Sequence, residues 1–184
     1  MWKNIIGVFK KDNLYQQAFD EACEMMETNG KMYAASVESL RQSDTAEIKI
    51  DIYALDKEIN KAERDVRKKV MKHLMLSGDA QLTSGLTLVS VVIDIERIGD
   101  YTKNIYDLAR SHPKRLQAGS LEDKLQEVEA HIAQIFASAT RAFKEGDEDI
   151  ARQVMEEYKE EISTDCDDMA DDIITGKVSD LEAP

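Results

Sequence analysis

The feature that most constrains this chain is a set of long apolar lines, spaced by three and four residues, that no proline interrupts. The first runs from Leu14 to about Arg41 through Phe19, Ala22, Met26, Gly30, Tyr33, Val37 and Leu40. It keeps phase through Gly30, so one helix is expected across Asn29-Gly30, weakened by roughly 1 kcal/mol but open to a close neighbour. A second line, Ile48, Ile52, Leu55, Ile59, Ala62, Val66, Val70 and Leu74, predicts a helix opening at Asp44, with Glu47 completing a capping box, and closing at Gly78. A third helix is expected from about Thr83 to Ser111, a linker over Pro113–Gly119, a fourth helix from Ser120 and a fifth from Asp147, with Gly146 between the last two. Helices of this kind bury a stripe against one another, so the expected class is all-α.

Composition agrees. Eight glycines and two prolines in 184 residues are too few for the turns of a sheet protein. With 37 acidic against 24 basic side chains the net charge is −13, the wrong field for nucleic acid, whose affinity comes from neutralised phosphates. Cys23 and Cys166 are too few for a disulfide scaffold, and no apolar run approaches the roughly 20 residues of a spanning helix. Met1 to Lys11 shows no small-residue cleavage pattern, so the cytoplasm is the expected location. That stretch is a basic amphipathic element, Trp2, Ile5, Ile6, Val8 and Phe9 among Lys3, Lys10 and Lys11. Packing on the chain's own bundle is expected of it, with peripheral membrane contact as the alternative.

Asp44 and Asp147 stand 103 residues apart, each after a short polar turn. The same shift pairs Met32 with Ile135, Tyr33 with Phe136, Leu40 with Phe143, Ile52 with Met155 and Ile59 with Ile162, the pattern of an internal repeat. The expected division is 1–12 for the basic element, 13–112 for a first three-helix repeat, 113–119 for the linker and 120–184 for a second repeat. The counterpart of the third helix would begin at residue 185, so the second repeat lacks its third helix here. Either the sequence is cut short at Pro184 or pairing with another copy, a homo-oligomer, fills the groove.

On the third helix one line reads Val89, Ile93, Glu96, Asp100, Asn104, Asp107, turning from apolar to carboxylate without leaving its face. Glu96 and Asp100 are therefore expected at the margin of a helix contact, where bare like charges are costly unless neutralised, with Gly99 permitting close approach. On the second helix Asp56, Asn60 and Glu63 share a face beside the apolar stripe. Packed antiparallel, the two helices bring four carboxylates and an amide together, an all-oxygen set suited to magnesium, manganese or iron. Ordinary ion pairs with Arg64, Arg67 and Arg97 are the alternative. His73, His112 and His131 are scattered, and Cys166 stands among Asp165, Asp167 and Asp168, an acidic surface.

The stretch Ile95-Glu-Arg-Ile-Gly-Asp-Tyr-Thr-Lys-Asn-Ile105, behind Leu55-Asp-Lys-Glu-Ile-Asn-Lys-Ala-Glu63, resembles the PhoU family of phosphate-response regulators. The resemblance covers residues 14 to 178 and implies tandem three-helix bundles without catalytic activity. It implies cytoplasmic regulators working beside a membrane phosphate transporter, in some cases coupled to a sensor histidine kinase, and metal clusters of iron or zinc on acidic motifs. Carried over by position, Asp56, Asn60, Glu63, Glu96, Asp100 and Asn104 are the expected ligands. Lys159, Ser163 and Cys166 stand where the second repeat should repeat Asp56, Asn60 and Glu63, so any metal is expected in the first bundle. The expected function is a non-enzymatic regulator of phosphate transport and signalling. A carboxylate-bridged, metal-dependent phosphate-ester hydrolase and a metal-free helical scaffold are the alternatives.

Overall fold

A computed structural model describes residues 14–77, 81–112, 114–158 and 162–178. The first three apolar lines become α1 (Leu14–Gln42), α2 (Ile52–Ser77) and α3 (Leu82–Ser111). A 3-10 turn (Gly119–Leu121) follows, then α4 (Glu122–Glu145), α5 (Glu148–Glu157) and α6 (Ser163–Ile174). No strand occurs among the described residues, and the all-α expectation holds. None of these helices is long and apolar enough to cross a membrane. The basic amphipathic element of residues 1–12 and the expected helix end at Gly78 lie outside the described residues.

One boundary differs from expectation. Helix α2 opens at Ile52, not Asp44, because Asp51 is its cap, its Oδ1 accepting from the Ala54 N–H at 3.0 Å. Asp44 instead accepts from the Arg115 backbone N–H at 3.2 Å, and Ala46 takes a left-handed φ of 52°, which ends any helical run there. The helix expected from Asp147 is described as α5 and α6, and residues 159–161 between them lie outside the described residues. Its start is as expected: the Asp147 side chain accepts from the N–H groups of Asp149 and Ile150, and Gly146 closes α4 with a φ of 67°.

The chain falls into two compact units, one of residues up to 32 with 51–103, the other of 33–50 with those from 104 onward. In the first unit the pairs Glu21–Lys69 and Tyr15–His73 run α1 antiparallel to α2. Asp56–Lys103, Ile59–Gly99 and Leu74–Gly85 do the same for α2 and α3. The result is an up-down-up bundle. Its core is Ala18, Ala22, Met25 and Met26 of α1, Ile52, Ile59, Val66 and Val70 of α2, and Leu88, Val92 and Ile95 of α3. On α1 the buried line passes through Asn29 rather than its neighbour Gly30.

The second unit is tied together by Arg41, whose nearly buried guanidinium bonds Glu122, Glu129 and the Leu116 carbonyl. Beside it the Leu116 N–H donates to the Leu40 carbonyl at 2.8 Å, and Tyr33 stacks on Phe136 with ring centres 6.4 Å apart. A cavity of about 460 Å³ is lined by Arg41, Arg115, Gln117, Glu122 and Gln126. Its buried cation is already satisfied by three oxygens, so Arg41 serves the loop and not a ligand.

Candidate functional site

Helix α2 turns Asp56, Asn60 and Glu63 to a face one step beside its buried Ile52, Ile59 and Val66. Helix α3 does the same with Glu96 and Asp100 beside Val92, Ile95 and Gly99. The antiparallel register then brings the two acidic faces to one edge of the first unit. Burial holds the Glu96 carboxyl above its usual range, and the negative fields of Asp100, Glu63 and Asp56, in that order, add to it. Four carboxylates therefore do converge on this edge, as the sequence implies.

The charge that answers them belongs to the chain. Lys103 Nζ lies 2.7 Å from Asp100 Oδ1 on its own helix and 3.1 Å from Asp56 Oδ1 across the seam. The three side chains are 23%, 45% and 14% exposed for Lys103, Asp100 and Asp56. The hydrogen bond to Asp100 is the largest cause of a raised ammonium pKa, which the bond to Asp56 reinforces against desolvation. Glu63 is held by Arg67, whose guanidinium donates at 2.8 Å one turn along α2. Of the other arginines, Arg97 pairs with Asp94 at 3.5 Å, away from the cluster, and Arg64 is exposed.

Two expected ligands stand otherwise. The Asn60 amide nitrogen turns back on its own helix to donate to the Asp56 carbonyl at 2.9 Å. Asn104 is exposed on the next turn of α3 and counts with the second unit. Among the described residues no group of three His, Cys, Asp or Glu is placed to hold a metal ion. With an ammonium seated between Asp56 and Asp100, the edge as it stands does not fit a metal cluster. It is a lysine-closed ion network that pins α2 to α3 in one register.

Sequence reasoning missed Lys103, although it lies inside the motif, three residues after Asp100 and seven after Glu96, on the same helical face. It also missed Asn29. That fully buried amide donates to the Ile95 carbonyl at 2.6 Å, while its Oδ1 has no hydrogen-bond partner. A Cβ on Gly99 would sit 3.0 Å from that oxygen and 3.4 Å from Ile59 Cδ1. The glycine of the motif is thus the point where α1, α2 and α3 touch, the close approach expected of it.

No curated protein and no solved structure gives a significant match to the chain. A protein-family comparison does, and its span takes in all of α2, most of α1 and α3, and every member of the ion network. Residues 22–109 match the PhoU domain, so this chain carries a PhoU domain.

Proposed function

We propose that the protein is a non-enzymatic regulator of phosphate transport and phosphate-response signalling, acting by docking on a membrane phosphate transporter or its sensor histidine kinase. The observation that carries this is the PhoU domain over residues 22–109, which contains the whole lysine-closed edge. The geometry favours docking over chemistry. A metal-dependent ester hydrolase needs carboxylates turned toward its metal, whereas Lys103 and Arg67 hold Asp56, Asp100 and Glu63. The network leaves the edge net anionic, four carboxylates against two cations, a field that selects a basic partner surface. Binding there shifts the partner's conformational balance in proportion to its preference for one of the partner's states.

The test is genetic and biochemical. Deleting the gene should uncouple phosphate uptake and phosphate-responsive transcription from external phosphate. Tagged protein should recover a transporter or kinase component from membranes of phosphate-limited cells. Unchanged phosphate responses in the deletion strain would refute the regulatory role. Recovery of neither component would refute docking.

A further inference from the structure

Charged side chains make up 33% of the chain, yet the thirteen residues from Gln81 to Ile93 carry none. This is not because they are buried. Leu82, Leu86 and Ile93 are exposed, as are Thr83, Ser84 and Thr87 between them. The hydroxyls of Ser84 and Thr87 donate to carbonyls one turn back, those of Gln81 at 3.1 Å and Thr83 at 2.9 Å, so covering them strands no polar group. An exposed helix face without charge, whose hydroxyls are already bonded, has the composition of the centre of an interface, where charged residues are depleted.

The apolar side chains of this stretch form one line, Leu82, Leu86, Val89 and Ile93, which continues through Glu96 and Asp100 into the ion network. Like the network, it runs along the α2 side of α3. On α2, Leu74 packs over Gly85, which sets Met71 and Met75 at the same level. Met71 stands two positions past Lys69, whose bond to Glu21 faces α1, so its exposed side chain turns the other way. Met71, Met75, Leu82, Leu86 and Ile93, 40% to 82% exposed, therefore lie on the α2–α3 face that α1 leaves open.

The spacing of the α3 line says what covers it. Its steps are four, three and four residues, the same read in either direction. A second α3 laid antiparallel meets it layer by layer, Leu82 on Ile93 and Leu86 on Val89, about a two-fold axis between Thr87 and Leu88. The α2–α3 register carries that axis to the level of Met71, so the methionines of both copies close the same seam. Two chains of net charge −13 repel, and a charge-free strip is where they approach at least cost. We propose that the protein self-associates through this face as an antiparallel, isologous dimer of α2–α3 hairpins. Glu96 lies about nine residues from the axis, so the two lysine-closed edges stand roughly 25 Å apart along the helices and stay uncovered. The inference rests on the first unit alone, independently of the phosphate-regulator assignment and of the second repeat.

Sedimentation equilibrium of the full chain, from low micromolar to millimolar concentration, tests it. The strip is short, so a weak, concentration-dependent dimer is expected. Leu86→Glu should weaken association at least about a hundred-fold, because each dimer loses the side chain twice and gains two charges in its seam. Leu86 is exposed, so at dilutions where both are monomers the variant should melt like the parent. The register is tested by cysteine pairing in a Cys166→Ser background, which removes the exposed native thiol. Leu86→Cys mixed with Val89→Cys should form the mixed disulfide under mild oxidation, and Leu86→Cys mixed with Ile93→Cys, one turn out of register, should not. A monomer at every concentration, unchanged association of Leu86→Glu, or equal linkage out of register would each overturn the proposal. The first of these would leave the face to an amphipathic helix of another protein.

Discussion

Replacing Lys103 by methionine keeps the side-chain stem and removes the charge, so it isolates the ion network. Two interactions are lost. The contact with Asp100, 2.7 Å away on the same helix, is an i,i+3 pair with a partner nearly half exposed, and is worth about 0.5 kcal/mol. The bond to Asp56, 3.1 Å away across the seam, joins two groups less than a quarter exposed. A charge-assisted bond there falls between the exposed and buried limits, at about 1–2 kcal/mol. Together they amount to about 2 kcal/mol, a fall in Tm of roughly 4–8 °C for a chain of this size. Thermal and urea unfolding followed by circular dichroism measure this, and a double-mutant cycle with Asp56→Asn isolates the cross-seam part, expected at about 1–2 kcal/mol.

The same substitution carries a second consequence. Without the ammonium, Asp56 and Asp100 lose their counter-charge beside Glu96 and Glu63, and a divalent cation becomes the next available remedy. Manganese should then raise the Tm of Lys103→Met by mass action and leave the parent protein nearly unchanged. A coupling energy near zero would refute the structural role of Lys103. Equal protection of parent and variant by manganese would refute the claim that the lysine holds the cation position.

Other substitutions test the packing and the pH response. Gly99→Ala gains about 1 kcal/mol of helix propensity but forces a methyl against Asn29 Oδ1, in a residue fully buried and pinned to Ile95. A net loss of about 1 kcal/mol in urea unfolding is expected; Gly85→Ala, whose neighbour is the movable end of Leu74, should lose less. Glu122 is held below the usual carboxylate range, chiefly by the Ala118 N–H, then by Gln126 and Arg41 against desolvation. Its stabilisation is complete above the unfolded carboxylate pKa and lost as pH falls through the lower folded value, so Glu122→Gln should destabilise at neutral pH and converge on the parent in acid. Glu96 has the opposite sign, since burial and neighbouring acids raise its folded pKa. Its ionised form costs stability above that value and the cost is relieved as pH falls through it, so Glu96→Gln should be at least as stable as the parent at neutral pH. Melting temperatures across that range check both.

Periodicity made the helices legible because each apolar line had to be buried on one face, and α1 and α3 begin and end within about a residue of their expected bounds. It failed where a distant partner decided the outcome. Ile48 is in phase with the α2 stripe, but nothing local shows that Asp44 is committed to Arg115, which leaves Asp51 to cap the helix. The cluster shows the same limit more sharply. A face that turns from apolar to acidic correctly places Glu96, Asp100, Asp56 and Glu63 at one seam, since like charges at a helix margin require an answer. It does not say whether that answer comes from solution or from the chain. Lys103 lies at the spacing that supplies it, three residues from Asp100 on the same face, where an ammonium both neutralises its own helix and reaches across to Asp56. A metal must be bought from solution against its hydration, whereas a tethered cation is always present at the seam. The acidic pattern alone is therefore common to lysine-closed and metal-closed seams, and a basic residue on the same helical face, three or seven positions along, is what distinguishes them.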